Sequence, residues 1–391
     1  MKFEALDFFE IEKSFNEEEV LVRDTARKFV DREIIPGIAE QWEAGEFSLD
    51  LVQKMGELGF LGPFIPVEYG GAGCSYTIYG LICQEMERGD SGVRSFCSVQ
   101  GSLVMYPIWK FGSEEQKKRY LPELAAGKII GCFGLTEPDA GSDPRSMMTS
   151  AKKDGSGWIL NGAKMWITNG SIADIAVVWA KDEEGIIRGF IVHRDDEGFS
   201  APEQKHKVSL RSSVTSELVL EDVRIPADRE LPGTEDLKSP LMCLTSARYG
   251  IAWGAVGVLQ SVFDEALQYS RERIQFGRPT ASFQMTQAKL VEMATDLTNA
   301  QMMAYHLGRL ADSGAMKHYH VSMTKRHNVN VALEAARKAR GMLGANGITL
   351  EYQAIRHMCN MESVHTYEGT FEIHTLILGE YFTGLSAFGN E

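Results

Sequence analysis

The chain has 391 residues, of which 44% are apolar and 24% charged, and it carries a net charge of -14 at pH 7. That length exceeds one compact core and predicts roughly two or three packed units. A mean hydropathy of -0.18 and the lack of a long apolar run exclude a membrane-spanning helix, and the acidic balance argues against nucleic acid or an anionic membrane as a partner.

The N-terminus, Met1 to Asp7, alternates charged and apolar residues without the apolar core of a signal peptide, which predicts a cytoplasmic protein. The first third reads as helical. Val20, Leu21, Phe29, Val30 and Ile34 recur near helical spacing between Glu17 and Ile35, with Asn16 and Glu19 placed as an N-cap and its return partner, and Pro36 ends the run. Leu51, Val52, Met55 and Leu58 predict a second helix before Gly59; further helices are expected over Leu81–Glu87 and Ser102–Leu124.

Near Ile129 the pattern changes to short β-rich runs: Ile129–Leu135, Trp158–Leu160, Lys164–Thr168, Ile175–Ala180, Gly189–His193 and Glu217–Ile225, punctuated by Gly, Asn and Asp. These predict a small antiparallel barrel or sandwich. After Pro240 long helices return over Ala247–Arg271, Gln284–Asp312 and Met316–Leu343. Helices, strands and helices in separate blocks predict an α+β fold with units at residues 1–128, 129–238 and 239–391. The six cysteines are dispersed, with no CxxC pair and no Cys/His cluster, so reduced thiols and no metal site are expected. No GxGxxG lies between a strand and a helix, and no GxxxxGK[ST] is present.

Two segments of the middle block could hold a polar ring. Gly134 to Asp143 leaves a strand into a loop of hydroxyl and turn residues, which by itself reads more readily as a capped surface turn than as a site. Lys164 to Gly170 carries Trp166 and Thr168 two residues apart, hence on one face of a strand, although a lone Trp is more often core.

These two segments resemble the flavin-binding signature of the acyl-CoA dehydrogenase family. The likeness continues through Arg273-Ile274-Gln275-Phe276-Gly277 with Gln284, Met342-Leu343-Gly344-Ala345-Asn346-Gly347 and Tyr367-Glu368-Gly369-Thr370, in the family's order. It implies the acyl-CoA dehydrogenase fold: an N-terminal helical domain, a middle β-barrel and a C-terminal four-helix bundle. It also implies a homotetramer with FAD across a subunit interface and an electron transfer flavoprotein as acceptor. Phe133, Leu135, Thr136, Ser142, Trp166, Ile167 and Thr168 are then expected along the flavin. Arg273, Phe276, Gln284, Leu343, Gly344 and Gly347, with Thr370 and Glu372, are expected to serve the rest of the cofactor. Taken alone, Arg273 would read as a surface ion-pair residue, and Gly344 and Gly347 as a helix end.

The same resemblance makes Glu368 the catalytic base, although an unplaced Glu in a loop is ordinarily a surface cap. Some members carry the base on the helix just before an arginine; that position here is Ala247, ahead of Arg248. Ser142, Arg248, Tyr367 and Gly369 are implied to border the acyl-CoA.

Glu87-Arg88-Gly89-Asp90-Ser91-Gly92-Val93-Arg94-Ser95 is unusually charged for an acyl pocket. It reads either as a solvated helix end or as an arginine gripping a terminal carboxylate. The segment resembles the glutaryl-CoA dehydrogenases, which implies Arg94 on the distal carboxylate of glutaryl-CoA with Glu87 and Ser95 beside it. Val93, also implied to border the substrate there, stands where decarboxylating members carry Tyr, and this implies a reaction that stops at glutaconyl-CoA. Three other readings compete: a decarboxylating enzyme giving crotonyl-CoA and CO2, another short-chain acyl-CoA dehydrogenase or oxidase, and a non-catalytic flavin or acyl-CoA binding protein.

Overall fold

The computed structural model describes residues 3–388. Its first block holds seven α-helices: α1 (Glu17–Phe29), α2 (Ile38–Ala44), α3 (Asp50–Glu57), α4 (Tyr76–Gly89), α5 (Ser91–Ser98), α6 (Tyr106–Phe111) and α7 (Glu114–Ala125). Helix α1 starts where its capping chemistry places it. Glu19 N–H donates to Asn16 Oδ1 and Asn16 N–H to Glu19 Oε2, both at 2.9 Å. The expected single helix over Ser102–Leu124 is instead a π-helical stretch (Val99–Met105) followed by α6 and α7, because Gly112 turns the chain and Ser113 caps a new helix from there.

Helices α4 and α5 meet at Asp90, whose backbone is extended and whose carboxylate accepts Gly92 N–H at 2.7 Å. This break is a junction of the whole fold. Asp90 also accepts from Arg356 and Ser212, and from Asn360 Nδ2 at 2.8 Å. One buried carboxylate thus ties the helical block to the middle sheet's last loop and to a C-terminal helix.

The middle block is a seven-stranded sheet of β1 (Gly131–Gly134), β2 (Ser150–Asp154), β3 (Gly157–Thr168), β4 (Ile175–Lys181), β5 (Ile187–His193), β6 (Phe199–Ser200) and β7 (Thr215–Pro226). Its order is β1-β4-β2-β3-β7-β6, with β5 also on β4. The expectation of antiparallel pairing holds for most neighbours but not on β4, which takes β1 in parallel from Gly131↔Ile175 to Gly134↔Val178 and β2 in parallel at Ser150↔Lys181. Parallel pairing needs a long crossover, and β2 and β3 fill it. The two expected strands at Trp158–Leu160 and Lys164–Thr168 are one strand with register shifts after Leu160 and after Lys164. Strand β2 was not expected, since Ser150-Ala151-Lys152-Lys153-Asp154 has one buried residue and little apolar signal.

The C-terminal block contains α8 (Lys238–Glu272), a hairpin of β8 (Ile274–Gln275) and β9 (Arg278–Pro279), then α9 (Gln284–Asp312), α10 (His318–Met342), α11 (Ala354–Thr366) and α12 (Phe371–Thr383). Phe276 and Gly277, both at positive φ, make the hairpin turn. Helices α8 to α11 pack as the bundle that the resemblance implied, with α12 against α10. One apolar core runs through all three blocks, including Tyr79 of α4, Phe133 of β1 and Tyr249 and Trp253 of α8. Among the described residues no helix is long and apolar enough to cross a membrane.

Candidate active site

The residues between α11 and α12 form a tight connection. Tyr367 is extended, Glu368 takes a left-handed φ of 51° and Gly369 a φ of 92°, after which the Thr370 hydroxyl caps α12 by accepting Ile373 N–H at 3.2 Å. A left-handed conformation at a glutamate costs on the order of 1–3 kcal/mol and persists only where the surroundings impose it.

Two buried cations impose it here. From α10, Lys325 Nζ donates to the carbonyl oxygens of Tyr367 at 2.5 Å and Gly369 at 2.7 Å, with that of Glu368 at 3.5 Å. From α8, Arg248 Nε donates to Glu368 O at 2.6 Å. Gly369 lies so close that a Cβ would sit 3.0 Å from His374 and 3.2 Å from Arg248.

Glu368 is half-buried, and one oxygen of its carboxylate is dry. Its Oε2 is sealed from solvent and has no hydrogen-bond partner among the described residues. Burial raises its pKa, while the nearby Lys325, Arg94 and Arg248 pull it back. A carboxylate held this way is a stronger base than one in water. The same desolvation lowers Arg248 to about 10 and His374 to about 2, so the imidazole is neutral.

Tyr367 links the base to the charged end of α4 and α5, because Arg94 donates to its hydroxyl. Arg94, 1% exposed, also donates Nε to Glu87 Oε2 at 2.6 Å and Nη2 to Glu87 Oε1 at 3.3 Å. Burial raises the pKa of Glu87 even with this partner. The solvated-helix-end reading of the segment is therefore excluded. No acceptor meets Arg94 Nη1 among the described residues, which leaves donor capacity for a second carboxylate. Ser95 is buried one residue further along α5.

Val93 does not share this environment. Successive side chains on a helix point about 100° apart, and Val93, 1% exposed, packs in a separate apolar cluster with Val30, Ile34 and Phe96. The side chain of Val93, expected beside the substrate carboxylate, thus packs among these apolar residues.

The two segments expected along the flavin are joined. Met165 N–H donates to Thr136 O at 2.8 Å, and buried Lys164 bridges Leu135 O at 3.2 Å and Glu137 Oε1 at 2.7 Å. The shift after Lys164 leaves Trp166 at φ 63° and 63% exposed, so it is no core residue, while Ile167 beneath it is buried. Phe133 and Leu135 are buried, Ser142 is exposed, and the half-buried hydroxyls of Thr136 and Thr168 have no protein partner among the described residues. An open indole beside unpaired hydroxyls and a backbone-braced loop fits a planar, polar, redox-active ring. Of the group expected at the rest of the cofactor, Arg273, Phe276, Gln284, Gly344 and Glu372 are exposed, Thr370 is half-buried, and Leu343 and Gly347 are buried.

Sequence reasoning missed Lys325, Asp90, Arg356 and His374. Lys325 had a signal: with Val321, Ser322, Asn328 and Ala332 it lies on the inward stripe of α10, where a lysine is unusual.

Models of the acyl-CoA dehydrogenase N-terminal, middle and C-terminal domains match residues 16–128, 132–223 and 237–382. The chain belongs to the acyl-CoA dehydrogenase family, and FAD is its cofactor. An acyl-CoA dehydrogenase of Bacillus subtilis (strain 168) is 36% identical over 374 residues, 94% of this chain and 98% of its own length. A crystal structure of glutaryl-CoA dehydrogenase from Mycobacterium smegmatis superposes with a TM-score of 0.95 at 52% identity, covering 97% of this chain and 98% of that one. A second glutaryl-CoA dehydrogenase structure from that organism, in complex with FADH2, has a TM-score of 0.97 at 47% identity and covers 99% and 100%.

Proposed function

We propose that this protein catalyses the α,β-dehydrogenation of glutaryl-CoA and releases glutaconyl-CoA with its carboxylate retained. The observation that carries this reading is the buried Glu87–Arg94–Tyr367 chain ending one residue from Glu368. An apolar acyl tail would gain nothing from an arginine at 1% exposure. A dicarboxylic acyl group offers it a charged partner and a fixed distance from the reacting carbons.

In this reading Glu368 takes the proton α to the thioester carbonyl. Its own N–H, presented by the left-handed backbone, faces the developing enolate oxygen. Bound FAD supplies the acceptor for the β-hydride. Phe133, Leu135 and Trp166 keep that surface flat and apolar, while Thr136, Ser142 and Thr168 offer it hydroxyls. The exposed Arg273, Phe276 and Gln284 suit contact with a neighbouring chain, in keeping with a homotetramer, and an electron transfer flavoprotein is the acceptor that suits such a flavin.

How Arg94 is held supports retention of the carboxylate. Loss of CO2 requires the carboxylate to leave its cation as charge moves into the conjugated thioester. Arg94, fixed by two bonds to Glu87 and one to Tyr367, is a rigid charge-assisted partner that opposes this departure. Val93, next to Arg94 in α5, packs with Val30, Ile34 and Phe96.

Mass spectrometry of the CoA products, with glutaryl-CoA and an artificial electron acceptor, tests the proposal. Glutaconyl-CoA alone is expected. Crotonyl-CoA would keep the substrate and remove the retained carboxylate; no flavin reduction by glutaryl-CoA but reduction by butyryl-CoA would remove the substrate.

A further inference from the structure

A buried lysine is expensive unless its donors are met, and Lys325 is 2% exposed. Burial, with Arg248 and Arg94 nearby, pushes its pKa well below the ordinary lysine value, while the Glu368 charge pulls it back up; in its charged form it has three N–H donors and no acceptor. Lys325 presents them to three consecutive carbonyls, those of Tyr367, Glu368 and Gly369, from α10, more than forty residues earlier in the chain. No carboxylate oxygen is within ion-pair distance of Nζ among the described residues, so the lysine makes no direct ion pair with the base, although its charge favours the ionised form; it grips the main chain on both sides of it. Three carbonyl oxygens converging on one point require the peptide planes at 367–369 to turn together. The left-handed φ of Glu368 and the φ of 92° at Gly369 provide that turn.

We propose that Lys325 is the positioning residue of the catalytic base: by gathering these three carbonyls it holds Glu368 in its strained conformation and so aims the carboxylate and its own N–H at the substrate. The proposal rests on the assignment of Glu368 as base. Lys325 touches no reacting atom. Its effect passes through the backbone, with Arg248 fixing the same carbonyl of Glu368 from α8. Without the ammonium, the loop relaxes toward ordinary φ, and the near-attack geometry is lost.

The test uses full-length holoenzyme carrying Lys325→Met, Lys325→Arg or Glu368→Gln. It measures FAD content, the rate of anaerobic flavin reduction per bound FAD and the kinetic isotope effect with α-deuterated substrate, using both glutaryl-CoA and butyryl-CoA. Misplacement of a base by about 1 Å costs on the order of 100-fold. Lys325→Met is expected to keep its FAD and slow reduction by that order, with a larger α-deuterium effect because proton removal becomes more limiting. Its acid limb should also move upward, since Lys325 (α10), Arg94 (α5) and Arg248 (α8) are the charges facing Glu368, with neutral His374 (α12) behind them. Lys325→Arg, whose planar fork cannot place three donors at one point, should fall between the two. If Lys325→Met does not fold, Lys325→Arg alone decides: slower reduction with a raised isotope effect supports the role. Per-flavin rates and isotope effects equal to wild type overturn it. Failure of the base assignment is separate and shows as Glu368→Gln reducing its flavin normally.

Discussion

Gly254 of α8 faces the Glu87 carboxylate so closely that a methyl group on it would lie 1.8 Å from Oε2 and 3.3 Å from Arg94 Nε. The buried ion pair therefore exists only because this helix position has no side chain. Gly254→Ala is expected to push Glu87 off Arg94, lower the thermal midpoint by an amount in keeping with about 1–3 kcal/mol of overpacking, and raise KM for glutaryl-CoA more than for butyryl-CoA. Steady-state kinetics on both substrates check this; equal changes on the two would disconnect Gly254 from the arginine.

Arg94 is the proposed selector of the dicarboxylic acyl group, but its removal alone would strand Glu87 as a buried, unpaired charge. The double variant Arg94→Met with Glu87→Gln avoids that cost. It should lose about 2–5 kcal/mol of transition-state binding for glutaryl-CoA, roughly 30-fold or more in kcat/KM, and leave butyryl-CoA turnover within a few-fold. A parallel loss on both substrates would reassign the pair to structure.

Glu368 must be ionised to act, and burial raises its pKa above the ordinary glutamate value. The sign is fixed by that direction: as pH falls through the raised pKa the base gains a proton, so the flavin-reduction rate drops at a higher pH than about 4.3, the unperturbed midpoint. Glu368→Gln removes the limb together with the activity, a loss of at least about 100-fold, while FAD stays bound. Rapid-mixing absorbance of the flavin as a function of pH reports both.

Asp90 carries the junction of the three blocks, accepting from Gly92, Ser212, Arg356 and Asn360. Asp90→Leu would leave Arg356, 2% exposed, without its counter-charge, a loss of about 3–5 kcal/mol. Lowered thermal stability with a collapse of holoenzyme yield is the expected result. Asp90→Asn, which keeps the shape and one acceptor, should recover part of it.

Much of the fold was legible because periodicity and capping are local. Helix α9 runs over Gln284–Asp312 as its content of helix-forming Ala, Leu, Met and Gln predicts, and Asn16 with Glu19 starts α1. Strand β2 and helices α11 and α12 were not read, since a mostly exposed Lys-rich strand and short mixed-polarity helices carry little pattern. The parallel placement of β1 on β4 was hidden because pairing across a crossover is a long-range choice.

For the site, the sequence by itself determined which groups are present: a Tyr-Glu-Gly-Thr connection, an arginine seven residues after Glu87, and an indole and hydroxyls on one strand. Only the tertiary structure decided what those groups experience. It put Arg94 in a dry pocket against Glu87 while turning Val93, its neighbour in the chain, into another core, because a helix separates adjacent side chains by direction. It also brought Lys325 and Arg248 from two helices onto the carbonyls around Glu368. Ionisation and backbone strain depend on such neighbours, and neighbours distant in sequence meet only once the chain has packed.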